Sequence, residues 1–419
     1  MLCPFNGISV NILFIHQNFP GQYKHLAPTL VSQGHKVVAI GMHRNAPIDG
    51  VEFIQYKAKR GTTKDIHPWV IDYEAKVIRA EACAEVCHSL NTKGFVPDVI
   101  FVHPGWGEAL LLREVWPTAK QIHFVEFYYG PEGKDVGFDP EFPVPNFSGR
   151  CRLHIKNTNN LMNLYGMDVG VSPTEWQRST VPQQFQSQIH AIHDGVDTQK
   201  LKPNPKAVLR AKDDRGREIE LRKSDRVITF INRNFEPNRG YHSFMRALPE
   251  ILVKDPKARV VLIGGDDVSY GARPDNGSWK EKYRAEVADK IDDSRVHFLG
   301  KVPYDVYCAA MQISSAHVYL TYPFVLSWSM LEAMAMGAPV IGSRTPPVEE
   351  VIEDGVNGWL VDFFDYEAIA KVTLATLKAN TSKVTRRARK TIVEQYDLHS
   401  VCLPAQLALL DSIIDEHPE

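Results

Sequence analysis

At 419 residues the chain is too long for one ordinary hydrophobic core and predicts two domains. Its 44% hydrophobic and 23% charged residues are those of a soluble globular protein, and a net charge of −2 gives no basic field for nucleic acid. No apolar run approaches the roughly 20 residues that span a bilayer, and the start, MLCPFNGISV, lacks the basic and long apolar regions of a signal peptide, so a cytoplasmic location is expected.

The first half opens on an apolar β-rich run, Val10–Ile15, followed by a loop around Pro20 and Gly21. A helix-like segment ends at Gly34 and a second strand covers Lys36–Ile40, so the chain begins as a βαβ unit of a parallel sheet. In the turn Phe19-Pro20-Gly21-Gln22 the glycine either lets backbone approach a ligand or simply makes the turn tight. The segment Lys57–Lys64 carries four basic residues near Trp69 and reads as a contact for anionic lipid headgroups or as a solvated loop. Of six scattered cysteines (Cys3, Cys83, Cys87, Cys151, Cys308, Cys402), Cys83 and Cys87 are four apart on a helix. No second pair or histidine stands at zinc-ligand spacing, so buried thiols are expected.

Strands at Val99–Val102 and Gln121–Phe127 deliver His103 and Glu126 to strand ends. Each suits an acid, a base or a hydroxyl-binding group, and each also suits a purely structural role. Trp106, Tyr128 and Tyr129 nearby, and Trp328 further on, have the shape to stack on sugar faces or to pack. Val169–Ser172 and a strand before the turn His193–Asp197 complete the half.

Residues 203–226 hold eight basic and five acidic residues, interleaved, and read as a solvated linker with a small excursion. A second βαβ series follows, with strands at Val227–Ile231, Arg259–Ile263, Val296–Leu299, Ala316–Leu320, Val340–Gly342 and Trp359–Val361. Helix-like segments at Tyr241–Val253, Lys280–Lys290 and Tyr304–Met311 separate them. Two doubly wound domains place ligands at the C-terminal ends of their strands, here facing a cleft between the halves.

Two segments of the second half carry the chemistry. After the first strand, Arg233 enters a loop and Arg239 precedes Gly240 and a helix, so two guanidinium groups can fork onto a diphosphate. After Leu320, an apolar loop ends in Ser327, a helix-capping residue type, and Glu332 lies five residues on. Free N–H groups at that helix start suit a phosphate, and Glu332 suits a hydroxyl-bearing ligand held over the first turn. Neither GxGxxG nor GxxxxGK[ST] occurs, which argues against a classical dinucleotide site and a P-loop.

Taken together, LEAMAMGAPVIGS (Leu331–Ser343), HDGVD (His193–Asp197) and NRNFEPNRG (Asn232–Gly240) resemble the retaining glycosyltransferases of family 4 over nearly the whole chain. The blocks HQNFPGQY, HPGWGEALLL, EFYYGPEG and YPFVLSWSMLEAMA resemble a bacterial branch associated with surface-polysaccharide assembly. The resemblance implies an α/β GT-B fold of two Rossmann-like domains facing each other across a cleft. Its boundaries would be an acceptor domain at 1–200, a nucleotide-sugar donor domain at 201–395 and a C-terminal helix at 396–419 returning to the first domain.

By position it implies that Arg233 and Arg239 hold the diphosphate and that Glu332, the second glutamate of a Glu-x7-Glu motif, holds the ribose. Backbone N–H groups at Ser327, Trp328 and Ser329 would meet the sugar and distal phosphate. The base would lie against Leu299, Gly300 and the residues up to Val302, and Gly21 would approach the diphosphate. The implied reaction needs no metal or other cofactor. The acceptor hydroxyl attacks the face from which the diphosphate leaves, with Asp266-Asp267 only a structural turn. The implied partners are a nucleotide-sugar donor, a saccharide or lipid-linked acceptor and the inner-membrane surface, but no nucleic acid.

Two departures stand out: Phe324 occupies the place of the motif's first glutamate, and Glu126, or alternatively His103, stands where the family has a histidine. A sugar-nucleotide 2-epimerase of the same fold and a degenerate nucleotide-sugar-binding protein are the rival expectations.

Overall fold

The computed structural model describes residues 9–415. Cys3 and the rest of the start up to Ile8 lie outside the described residues, as do the last four positions. The chain divides into two compact units, Met1–Gly195 with His399–Glu419, and Val196–Leu398.

The first unit is built on a seven-stranded parallel sheet: β1 (Asn11–Ile15), β2 (Lys36–Gly41), β3 (Val51–Gln55), β4 (Val99–Val102), β5 (Lys120–Phe124), β6 (Val169–Ser172) and β7 (Ile189–Ala191), in the order β3-β2-β1-β4-β5-β6-β7. β1 explains why the sheet is covered on both faces. Its side chains alternate, so Ile12 and Phe14 enter one apolar cluster while Leu13 and Ile15 enter another. The C-terminal helix Leu403–Asp415 belongs to this unit, burying Leu409, Leu410 and Ile413 in the cluster that holds Ile12 and Phe14. Helix Ile71–Thr92 buries Cys83 and Cys87 as free thiols against the other face. The strand expected over Gln121–Phe127 stops at Phe124, and the Glu126 carbonyl accepts from the Gln177 side chain rather than from a neighbouring strand.

The charged stretch of the linker forms an antiparallel hairpin, β8 (Val208–Lys212) and β9 (Glu218–Arg222). Its interleaved charges are cross-strand partners, with Arg210 Nε 2.8 Å from Glu220, while Leu209 and Leu221 point into the core. The linker reading is therefore corrected: period-two alternation was hidden under the charge.

The second unit's sheet comprises β10 (Val227–Asn234), β11 (Arg259–Gly265), β12 (Val296–Phe298), β13 (Ser314–Tyr319), β14 (Val340–Ser343) and β15 (Trp359–Val361), all parallel, in the order β12-β11-β10-β13-β14-β15. In both sheets the order reverses beside the first strand, between β1 and β4 and between β10 and β13. Such a reversal opens a crevice beyond the strands' C-terminal ends because the flanking helices go to opposite faces. Among the described residues no helix is long and apolar enough to cross a membrane.

Candidate active site

A cavity of about 520 Å³ opens at the second unit's reversal. It is lined by Arg233 near the C-terminal end of β10, Gly264 in β11, Lys301 and Val302 beyond β12, and Ser327, Trp328, Ser329 and Glu332 beyond β13. Tyr304 and Tyr307 close one side. The volume suits a ligand of nucleotide-sugar size.

Helix Trp328–Ala335 starts at the cavity because the Ser327 hydroxyl caps it, accepting from the Ser329 N–H at 3.4 Å. The Ser327 N–H is itself spent on the Tyr319 hydroxyl at 2.8 Å, which fixes the entry of the chain into the helix. Arg233 is exposed and has no hydrogen bond or ion pair among the described residues. Lys301, which sequence reasoning missed, is a second exposed cation on the same wall. Its signal was present, since it directly follows the Gly300 turn at a strand end.

Arg239 does not share this role. It is buried, and its guanidinium donates to the Thr321 hydroxyl and the Val325 carbonyl, both at 2.8 Å. Its face lies 4.9 Å from the Tyr270 ring and 5.8 Å from Phe324, whose own rings meet edge-on at 4.9 Å. Nearby, the buried Glu236 carboxylate accepts from the N–H groups of Ser269 and Tyr270 at 3.2 and 2.9 Å, holding the loop that supplies Tyr270. Burial pushes Glu236 up to about 7 against those N–H groups. The expectation that Arg239 grips a diphosphate beside Arg233 is thus corrected, because Arg239 fixes the segment 321–325 from below. Phe324 likewise packs on Arg239 and does not line the cavity.

The segment expected to face the base, Leu299–Val302, is divided between the core and the cavity wall. Leu299 is in the core, and the Gly300 carbonyl accepts from Gly264 N–H at 3.0 Å, whereas Lys301 and Val302 reach the cavity wall. Asp266 and Asp267 are turn residues, with Asp267 2.6 Å from Arg273.

The first unit's reversal carries an imidazole pair. His16 follows β1, His103 follows β4, and their rings meet edge-on at 5.3 Å. Trp106 stacks on His103 at 4.3 Å, a packing role. Each histidine spends Nδ1 on the N–H two residues ahead: His16 on Asn18 at 2.9 Å and His103 on Gly105 at 3.2 Å. Neutral rings then carry their proton on Nε2, which His16 donates to Gln22 at 2.8 Å and His103 aims at Glu126, 3.8 Å away. Burial, then the neighbouring His16, hold His103 far below the usual histidine range, so this contact is not an ion pair at neutral pH. Gly21 packs on the same ring: a Cβ there would lie 2.4 Å from the His16 imidazole, at φ +49°. Sequence reasoning overlooked His16, although it stands after a strand just as His103 does. Tyr129 faces Lys156, whose ammonium sits 3.7 Å from the ring centre, and the Tyr128 N–H is held by Thr180. The basic loop is partly neutralised, with Lys59 paired to Glu85 and Arg60 to Glu74.

These buried rings make the first unit acid-sensitive. Burial lowers His16 and His193 to about 4 and His123 to about 3. In the unfolded chain each titrates near 6.5, so between those values the unfolded state binds more protons and stability falls as pH drops. His16 alone accounts for up to about 3 kcal/mol between pH 6.5 and 4. Thermal unfolding from pH 7 to 4.5 should show a steady fall in Tm, and a flat profile would contradict neutral buried rings.

Two doubly wound parallel sheets, each with a polar site at its reversal, define a GT-B glycosyltransferase architecture. Residues 33–201 match the model of the glycosyl transferase family 4 group and residues 212–392 that of glycosyl transferases group 1. The chain belongs to the family 4 glycosyltransferases. D-inositol 3-phosphate glycosyltransferase of Corynebacterium efficiens is 28% identical over 191 residues, 45% of this chain and 42% of that protein. A GDP-mannose-dependent phosphatidylinositol monomannoside mannosyltransferase of Mycolicibacterium smegmatis is 25% identical over 276 residues, 63% of this chain and 64% of that one. The match thus spans about two fifths of the first of these relatives. Among solved structures, sucrose-phosphate synthase of Thermosynechococcus elongatus superposes with TM-score 0.71 at 15% identity, over 97% of this chain and all of that one. HepE of Anabaena in complex with UDP-glucose gives 0.64 at 15%, over 96% and 99%. Both share the fold.

Proposed function

We propose that the protein is a retaining, metal-independent glycosyltransferase. It would move a hexose-type sugar from a nucleoside diphosphate sugar to a hydroxyl of a saccharide or lipid-linked acceptor, in the synthesis of a surface polysaccharide or related glycan. The observation that carries this reading is the convergence, around one cavity of about 520 Å³, of two exposed cations without an ion pair among the described residues, a capped helix start and a carboxylate.

Arg233 and Lys301 neutralise the diphosphate, and the start of helix Trp328–Ala335 adds the positive end of its dipole. Charge that develops on the leaving group meets fixed positive groups, so the arrangement stabilises departure without a divalent ion. Glu332 accepts from the ribose, and Val302 gives the base an apolar wall. The unit with His16 and His103 takes the acceptor, whose hydroxyl meets the Nε2–H of His103 and the Glu126 carboxylate. Peripheral membrane contact, with a lipid-linked acceptor, would rest on Lys57 and Lys64, the basic residues of that loop that remain outside the ion pairs with helix Ile71–Thr92.

The donor is found by thermal shift against UDP-, GDP-, ADP- and dTDP-sugars, since a ligand that binds only the native state raises Tm by mass action. UDP-glucose and GDP-mannose come first, because they are what HepE and the mannosyltransferase relative take by name. The expected result is a shift of several degrees with one donor class, unaffected by EDTA. No shift with any donor would remove the nucleotide-sugar reading. Epimerised donor in the absence of acceptor would replace the transferase with an epimerase, and an inverted product anomer would overturn retention.

A further inference from the structure

Glu332 is the carboxylate of the cavity wall, and both its oxygens already have donors. Tyr307 donates to Oε2 at 2.5 Å and Tyr304 to Oε1 at 3.0 Å. The two tyrosines lie three residues apart on helix Tyr304–Ile313, which puts them on one face, and their rings stack at 5.4 Å with 20° between planes. Their situations differ. Tyr307 makes the short bond of a charge-assisted pair from a partly buried place in the wall, whereas Tyr304 makes the longer bond and is 57% exposed at the cavity mouth. A hydroxyl arriving from the cavity reaches the Tyr304 side of the carboxylate first.

We propose that Tyr304 is a built-in stand-in for the ribose of the donor nucleotide. In the ligand-free protein its hydroxyl occupies Glu332 Oε1, and a ribose hydroxyl exchanges with it while Tyr307 stays on Oε2. This inference rests on the nucleotide-sugar reading of the cavity. Its consequence is a preference for ribonucleotides that competition from Tyr304 keeps small. The carboxylate never stands unpaired, binding exchanges one hydrogen bond for another, and the nucleotide gains less than it would against an empty Glu332. Tyr304 is thus a positioning and specificity residue that keeps affinity modest and favours release of the spent nucleoside diphosphate.

The test is calorimetry of the full chain with UDP and GDP and with their 2′,3′-dideoxy forms, for wild type, Tyr304→Phe and Tyr307→Phe. Removing the stand-in should tighten whichever ribonucleotide binds by roughly three- to tenfold, the net worth of one hydrogen bond. The dideoxy form, which cannot take the vacated place, should stay within about twofold. Tyr307→Phe should weaken the ribonucleotide, because the carboxylate loses its fixed donor. If Tyr304→Phe leaves ribonucleotide affinity unchanged or weakens it, Tyr304 is a permanent partner of Glu332 and the proposal falls while the nucleotide reading stands. Equal tightening of ribo and dideoxy forms would make Tyr304 a steric lid and also overturn it. If neither UDP nor GDP binds wild type, the nucleotide reading fails and the proposal with it. Tyr304→Leu repeats the test without a ring, should the phenyl group itself obstruct the site.

Discussion

Replacing Arg233 with alanine should cut nucleoside diphosphate affinity by about 30- to 150-fold, the worth of one or two charge-assisted hydrogen bonds, while leaving the melting temperature unchanged. The side chain is exposed and makes no hydrogen bond or ion pair among the described residues, so its loss removes only a weak through-space attraction to Glu236. Arg239→Ala should behave differently. It strips donors from Thr321 and Val325, leaves a gap between Tyr270 and Phe324, and removes the positive charge beside buried Glu236. The expected cost is about 3 kcal/mol of stability, and any loss of binding should follow from displacement of the loop before Ser327. A double variant would mix the two effects, so the residues must be tested singly, by calorimetry with UDP and GDP and by scanning calorimetry without ligand. Wild-type affinity in Arg233→Ala would mean that the cavity does not hold a diphosphate. A wild-type melting temperature in Arg239→Ala would return that arginine to the ligand.

The second large effect concerns stability alone. Gly240 joins the Arg239 turn to helix Tyr241–Lys254 with φ +71°, and a Cβ there would lie 2.2 Å from Cβ of the fully buried Leu320. Neither partner can yield cheaply, since one atom is at a helix start and the other at the end of β13. Gly240→Ala should therefore cost about 3 kcal/mol, combining left-handed backbone strain with overpacking. For a domain of this size that lowers Tm by roughly 6–12 °C. A fall under 2 °C would show that Leu320 relaxes freely. Because Leu320 leads directly into Thr321, which holds Arg239, the variant should also loosen the approach to Ser327.

Much of the fold could be read from local chemistry. Strands buried on both faces of a parallel sheet are nearly continuous apolar runs, so β1, β4, β10 and β11 stood out without any partner being known. Less legible were strands that depend on neighbours. β3 is half-exposed at a sheet edge, and the β8–β9 hairpin conceals two inward leucines among charges that only pairing makes favourable.

For the site, the sequence by itself determined which residue types are available. A serine before an apolar helix caps it whatever surrounds it, an arginine after a buried strand emerges at the strand's end, and a glutamate one turn into the helix stays near its start. Those constraints are local, and Ser327, Arg233 and Glu332 all line the one cavity, although Arg233 is still inside β10 and not in the loop after it. Tertiary structure decided what each polar group faces. Arg233 and Arg239 are equivalent in sequence, yet one is left exposed while the other is enclosed by Tyr270 and Phe324, residues 31 and 85 positions further on. Lys301 and the two tyrosines on Glu332 reach the cavity only because the sheet order brings the ends of β12 and β13 to one crevice. Burial and hydrogen bonding of a charged group depend on chain segments remote in sequence, and no local pattern encodes them.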